Sequence, residues 1–129
     1  MADTVCERHG VTILVCAQDG ATMRTDGDAT ELIGAALGHR AGLVVIPVER
    51  LDDAFFTLST RIAGEIVQKF VNYRLKLAIV GDIARHLAAS AALRDFVHET
   101  NRGNQLWFLP DIGQLDARLR AMRPHDSDG

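Results

Sequence analysis

The stretch Glu65-Ile-Val-Gln-Lys-Phe-Val-Asn-Tyr-Arg-Leu-Lys-Leu-Ala-Ile-Val-Gly-Asp82 decides how this chain folds. Its first half has helical spacing. From Arg61 onward Ile62, Ile66, Phe70 and Tyr73 recur on one face, with Ala63 and Val67 widening the stripe, while Arg61, Glu65, Gln68, Lys69 and Asn72 lie opposite. Its second half, Leu75 to Val80, is a short apolar run ending at Gly81-Asp82, which reads as a covered strand. A helix passing with almost no connection into a buried strand is the return limb of a β-α-β unit. At the junction, Asn72 is placed to end the helix in a left-handed conformation, Tyr73 to bury its ring and Lys76 to lift its charge out along the strand.

The same alternation extends in both directions. Leu43 to Val48 is a continuous apolar run that suits a central strand, and Pro47 should end its regular pairing because proline lacks the ladder donor. Upstream, Val5–Arg8 and Val11–Cys16 can pair as a hairpin across His9-Gly10. The polar segment Gln18 to Asp28 reads as a loop. Asp28, with Glu31 three positions on, suits the start of a helix from Ala29 to Leu37 closed by Gly38. Asp52 or Asp53 can cap a short helical turn over Ala54–Leu58. Downstream, a brief helix over Ile83–Ala88 leads to Ser90, which caps a helix carrying Leu93, Phe96 and Val97, stopped by a left-handed Gly103. Gln105 to Leu109 is the last strand. Pro110-Asp111 opens a final helix with Ile112, Leu115, Leu119 and Met122 on one stripe, and residues 123–129 are expected to form a flexible tail.

These elements predict an α/β fold: about five strands in a mainly parallel sheet, an N-terminal hairpin and four to five helices, in one domain over residues 1–122. The length of 129 residues, with 47% hydrophobic and 24% charged, fits a single core. A net charge of -3 argues against a dedicated nucleic-acid binder, although Arg118, Arg120 and Arg123 make a local basic end. No apolar run reaches the roughly 20 residues needed to span a bilayer, and the first ten residues lack the pattern of a signal peptide. A cytoplasmic location without membrane association is therefore expected. In the hairpin Cys6 faces Ile13, so Cys16 lies about 10 Å further along, beyond disulfide reach, and two reduced thiols are expected.

Chemistry is less legible. The chain has no Gly-rich phosphate loop, no CxxC, no HExxH and no GxSxG, which removes the best support for four familiar mechanisms. The five histidines (His9, His39, His86, His98, His125) show no metal-ligand spacing, so neither metal nor cofactor is expected. In open parallel sheets ligands sit outside the carboxyl ends of strands. That rule selects the loop from Glu49 to Thr60 and the Gly81-Asp82 turn, with Asp52, Asp53, Thr60 and Asp82 as candidates. Capping by Asp52 or Asp53 and a turn role for Asp82 are the plain structural readings.

Two resemblances add to this. The segments Ala63-Gly64-Glu65, Gln68-Lys69-Phe70, Asn72-Tyr73, Lys76 to Asp82 and Leu93 to Phe96 closely resemble an uncharacterised bacterial family of small single-domain proteins, over about Phe55 to Leu109. The order of elements resembles the STAS domain of sulfate transporters and anti-sigma-factor antagonists. On that likeness Ser59 and Thr60 match a serine pair at a helix start, and Thr60 falls where such antagonists are phosphorylated. Leu58 and Arg61 replace the aspartate and glycine that flank the pair in that domain. The resemblance implies a regulatory module that docks a protein partner through residues 53–65, including Arg61 and Glu65. The rival reading is a small-molecule binder or enzyme using Asp53, Asp82 and Glu99. A third is a homodimer through the hairpin edge or the exposed helix face.

Overall fold

The computed structural model describes residues 3–122; the expected tail and its Arg123 and His125 lie outside them. Strands β1 (Thr4–Arg8), β2 (Val11–Val15), β3 (Leu43–Pro47), β4 (Lys76–Val80) and β5 (Leu106–Leu109) form one sheet in the order β1-β2-β3-β4-β5. Only β1 and β2 are antiparallel; the other neighbours run parallel. Helices α1 (Asp26–Gly38), α2 (Asp53–Phe56), α3 (Ile62–Asn72), α4 (Ala84–Ala89), α5 (Ala91–Asn101) and α6 (Ile112–Met122) connect and follow the strands. The helices are thus six once the four-residue α2 is counted, and 3-10 turns occupy Val48–Arg50 and Leu58–Thr60.

The hairpin closes as expected. His9 and Gly10 both take positive φ (52° and 82°), the backbone of a primed turn, and Cys6 pairs with Ile13. Strand side chains then alternate between two cores. Leu14, Val44, Ile46, Leu77, Ile79 and Phe108 point to the face covered by α1, α2, α3 and α5. Ile13, Leu43, Val45, Ala78 and Trp107 point to the other, where Leu115 and Leu119 of α6 cover them. All five residues of β3 are buried, as a central strand covered on both faces requires, and regular pairing ends at Pro47.

Several local expectations are corrected. The N-cap of α1 is Thr25, whose side chain accepts from the Asp28 N–H while the Asp28 carboxylate accepts from the Thr25 N–H. This is the reciprocal cap expected of Asp28 and Glu31, moved one turn earlier. The left-handed residues after α1 and α3 are Arg40 and Arg74 (φ 58° each), rather than Gly38 and Asn72. Both close Schellman turns: Ala41 N–H donates to Ala36 O (2.9 Å) and Arg40 N–H to Leu37 O (3.1 Å), and Leu75 N–H to Phe70 O (2.9 Å) with Arg74 N–H to Val71 O (2.9 Å). Gly103 is not left-handed, and Tyr73 is 52% exposed. Phe70 already fills the last buried position of α3, and Tyr73 falls beyond it in the turn.

The two sheet edges differ. At β5 the Asn101 side chain takes the place of a sixth strand, its Oδ1 accepting from the Phe108 N–H (2.7 Å) and its Nδ2 donating to Phe108 O (3.2 Å). Arg118 holds the Asn101 carbonyl (2.5 Å) and stacks over the Trp107 ring at 4.6 Å. Edge-to-edge pairing is blocked there. Strand β1, mostly exposed, is the open edge.

Candidate functional site

Because strand order follows chain order, the parallel strands never reverse direction across the sheet, and no switch-point crevice opens between them. The carboxyl edge is instead roofed by the loops that leave β2, β3 and β4. The loop after β2 is tied down rather than free. Met23 and Leu51 form a parallel bridge, Met23 N–H donates to Arg50 O (2.6 Å) and Asp52 N–H to Met23 O (3.2 Å). Arg50, only 13% exposed in its side chain, donates to Ala21 O (2.6 Å) and Ala17 O (2.9 Å). Its guanidinium lies where a side chain on Gly20 would project.

Beyond that roof lies an open depression of about 320 Å³ between the β3 exit and the β4 exit, lined by Glu49, Asp53, Phe56, Asp82, Arg85 and His86 among others. Gly81 lies beside it, behind Val48. At φ 141° it lies so close to Val48 that a Cβ would approach Val48 Cγ2 to 2.8 Å, so the two loops meet only through glycine. Asp82 caps the turn into α4 by accepting from the Ala84 N–H (2.9 Å). Asp53 reaches Arg85 Nη2 at 3.2 Å and His86 Nε2 at 3.9 Å, and its side chain is 74% exposed, so water screens this pair heavily.

His86 is the pivot of the surface. Its ring stacks on Phe56 at 4.1 Å between centroids and 15° between planes. Burial holds its imidazole below the ordinary histidine value, Arg85 adds to the effect and Asp53 opposes it. The ring is therefore neutral at pH 7 and sits flat on the aromatic beneath it. On the far side of the stack a second open depression, about 420 Å³, continues over Thr57, Leu58, Ser59, Ala89 and Ser90. Phe56 and His86 line both, so the two depressions adjoin at the stack, and together they are called the groove below.

The structure separates the residues selected from sequence. Asp53, Asp82 and Ser59 line the groove, and Gly81 lies beside it. Asp52 turns away to cap α2 through the Ala54 N–H (3.1 Å) and to meet Arg24 at 3.7 Å. Thr60 is exposed, but its hydroxyl is engaged with Ala54 O (2.7 Å) and Thr57 O (2.8 Å) and accepts from the Ile62 N–H (3.3 Å). Arg61 takes a left-handed φ of 65° at the start of α3, and Glu65 is exposed on its first turn. Glu99 is in the last turn of α5, at the other end of the sheet from Asp53 and Asp82. Phe56, Arg85 and His86 were missed. Arg85-His86 stand one helical turn past Gly81-Asp82, a spacing that could have drawn them in. No group of three or more His, Cys, Asp or Glu side chains able to hold a metal occurs among the described residues. No helix among them is long and apolar enough to cross a membrane.

Sheet order and groove together define a small α/β domain whose chemistry-bearing side chains lie on an open surface at the carboxyl edge. The chain belongs to the DUF4180 family, a domain of unknown function, whose model matches residues 8–119. No curated protein and no solved structure matches it.

Proposed function

We propose that the domain is a STAS-like interaction module that docks a protein partner across residues 53–65 and the facing start of α4. The groove supports this reading most directly. Its two depressions are open and meet at an aromatic-imidazole stack with charged groups at the rim, which suits a partner's surface better than an enclosed small ligand. The sequential sheet, with α1, α2, α3 and α5 on one face, is compatible with the STAS-like order of elements.

Thr60 gives this module a switch. Its hydroxyl links the end of α2 to the turn before α3. A phosphate there adds about -1.5 to -2 charge, removes the donated proton and frees the 58–60 turn from Ala54 O. Docking and phosphorylation would then be alternatives at one surface.

A second reading, a small molecule held by Asp53, Arg85 and His86, draws on the neutral imidazole beside a carboxylate. The two are separated by one experiment. A photo-crosslinking residue at Ser59, with Gln114 on α6 as control position, should capture a specific protein in cells. Asp53→Lys should abolish that capture with the melting temperature unchanged. Capture no stronger than at Gln114, or capture that survives Asp53→Lys, would sink the docking reading.

A further inference from the structure

The opposite edge of the sheet carries a pattern that the groove does not use. An arginine precedes each parallel strand: Arg8 is the last residue of β1, before the turn into β2, and Arg40, Arg74 and Arg102 stand in the turns before β3, β4 and β5. Sequential strand order sets these turns side by side, at steps of about 4.8 Å per strand. Backbone bonds between them confirm the row: Gly42 N–H to Thr12 O (2.8 Å), Lys76 N–H to Gly42 O (3.0 Å) and Leu77 N–H to Gln105 O (2.9 Å).

Arg8 is held by Asp116 at 3.4 Å. Arg40, Arg74 and Arg102 are exposed, and no carboxylate among the described residues lies within ion-pair distance of them. Arg40 and Arg74 also occupy the left-handed position that glycine most often fills in a Schellman turn. The chain accepts that backbone strain twice and places a guanidinium there each time.

Exposed apolar side chains stand beside these charges. Leu37 (45% exposed) and Val71 (37%) hold the same position, three residues before each left-handed arginine, and Tyr73 (52%) adjoins Arg74. Arginine and tyrosine set among aliphatic side chains are the composition of a protein interface core.

We propose that the amino edge is a second docking surface, which takes an acidic peptide segment studded with apolar side chains. Its carboxylates pair with Arg40, Arg74 and Arg102, and its apolar groups cover Leu37, Val71 and Tyr73. Guanidinium groups bind carboxylates in bidentate fashion. A nucleic-acid backbone would satisfy the arginines but leave the aliphatic side chains idle. A second copy meeting edge to edge would set like charges together.

The test selects displayed random peptides of about 12 residues, enough at roughly 3.3 Å each to cross the row of turns, on the full chain. Selected peptides should combine Asp or Glu with Leu, Ile or Phe. Fluorescence anisotropy should show about tenfold weaker binding to the double variant Arg40→Gly, Arg74→Gly, although that variant melts no lower than the parent. Asp53→Lys, at the opposite edge, should leave peptide affinity where it was, which keeps this test apart from that of the groove. Selection of no peptide, selection without acidic residues, or equal binding to the double variant overturns the proposal. A poly-uridine probe that binds more tightly than the peptides, and loses affinity in the same variant, overturns it in favour of nucleic acid.

Discussion

Asn101 offers the sharpest test of how the sheet is closed. Its amide supplies both hydrogen bonds that a further strand would give Phe108, at 2.7 and 3.2 Å, and Phe108 is only 6% exposed. Asn101→Ala leaves a nearly dry N–H and C=O without partners. A stranded buried donor costs about 1 to 3 kcal/mol, and partial access of water to the carbonyl keeps the expected total at about 2 to 3 kcal/mol. With a urea slope of about 1 to 3 kcal/mol/M, the unfolding midpoint should fall by about 0.7 to 3 M. Asn101→Asp sharpens the test. It keeps an acceptor for the Phe108 N–H but, when ionised, turns a second oxygen toward Phe108 O. Only the protonated acid can donate there, so its folded pKa is raised above the unfolded value of about 3.9. That contribution is fully present below the unfolded pKa and lost as pH rises through the folded one. The aspartate variant should therefore resemble the parent, measured at the same pH, near pH 3 to 4 and be the least stable of the three at pH 7. Hydrogen exchange of the Phe108 amide provides a local readout. A loss below about 0.5 kcal/mol in Asn101→Ala, with Phe108 protection unchanged, would refute the idea that a side chain closes this edge.

Three further outcomes follow from the same structure. Arg40→Gly and Arg74→Gly should each raise stability by about 0.5 kcal/mol, the relief of a left-handed residue less the added freedom of glycine in the unfolded chain; Arg74→Val should lower it, and chemical denaturation reads both. Cys16 is buried and its thiol is pushed up to about 12, chiefly by burial, whereas Cys6 is half-buried, so a thiol reagent at pH 8 should label Cys6 in the native protein and both cysteines after unfolding. Asp116 binds Arg120, His9 and Arg8, at 3.2 to 3.4 Å, and these hydrogen bonds, that to Arg120 foremost, hold its carboxyl below the usual carboxylate value. Its contribution is present above the unfolded aspartate pKa and lost as pH falls through the folded one, so Asp116→Asn should flatten the acid limb of the stability curve while leaving an offset at neutral pH.

What sequence could and could not reveal divides along physical lines. The hairpin was legible down to the Cys6-Ile13 pair, because a two-residue turn with glycine second sets its own register. Ser90 was legible as a cap because its partner, the Leu93 N–H, lies three residues away. The start of α1 was not. Thr25 and Asp28 on one hand, Asp28 and Glu31 on the other, have the same spacing, and the loop before α1 is anchored to Leu51 and Arg50 from a distant part of the chain. Likewise Asn72 is a good left-handed residue by type, yet the turn that sets Leu75 against Phe70 puts the strain on Arg74. In the groove, Asp53 and Asp82 followed from the general rule about strand ends. The Phe56-His86 stack did not, since it joins α2 to α4 and neither residue marks itself in isolation.

By itself, then, the sequence determined the alternation of strands and helices, the burial of β3 and β4 and the primed turn, all consequences of periodicity and local backbone preference. Tertiary structure alone decided the sequential strand order, and with it the lack of a switch-point crevice, the open carboxyl-edge groove and the row of arginines at the amino edge. Those features depend on which turns lie beside one another, and contacts between residues thirty or more positions apart are set by packing of the whole sheet, not by any one stretch of chain.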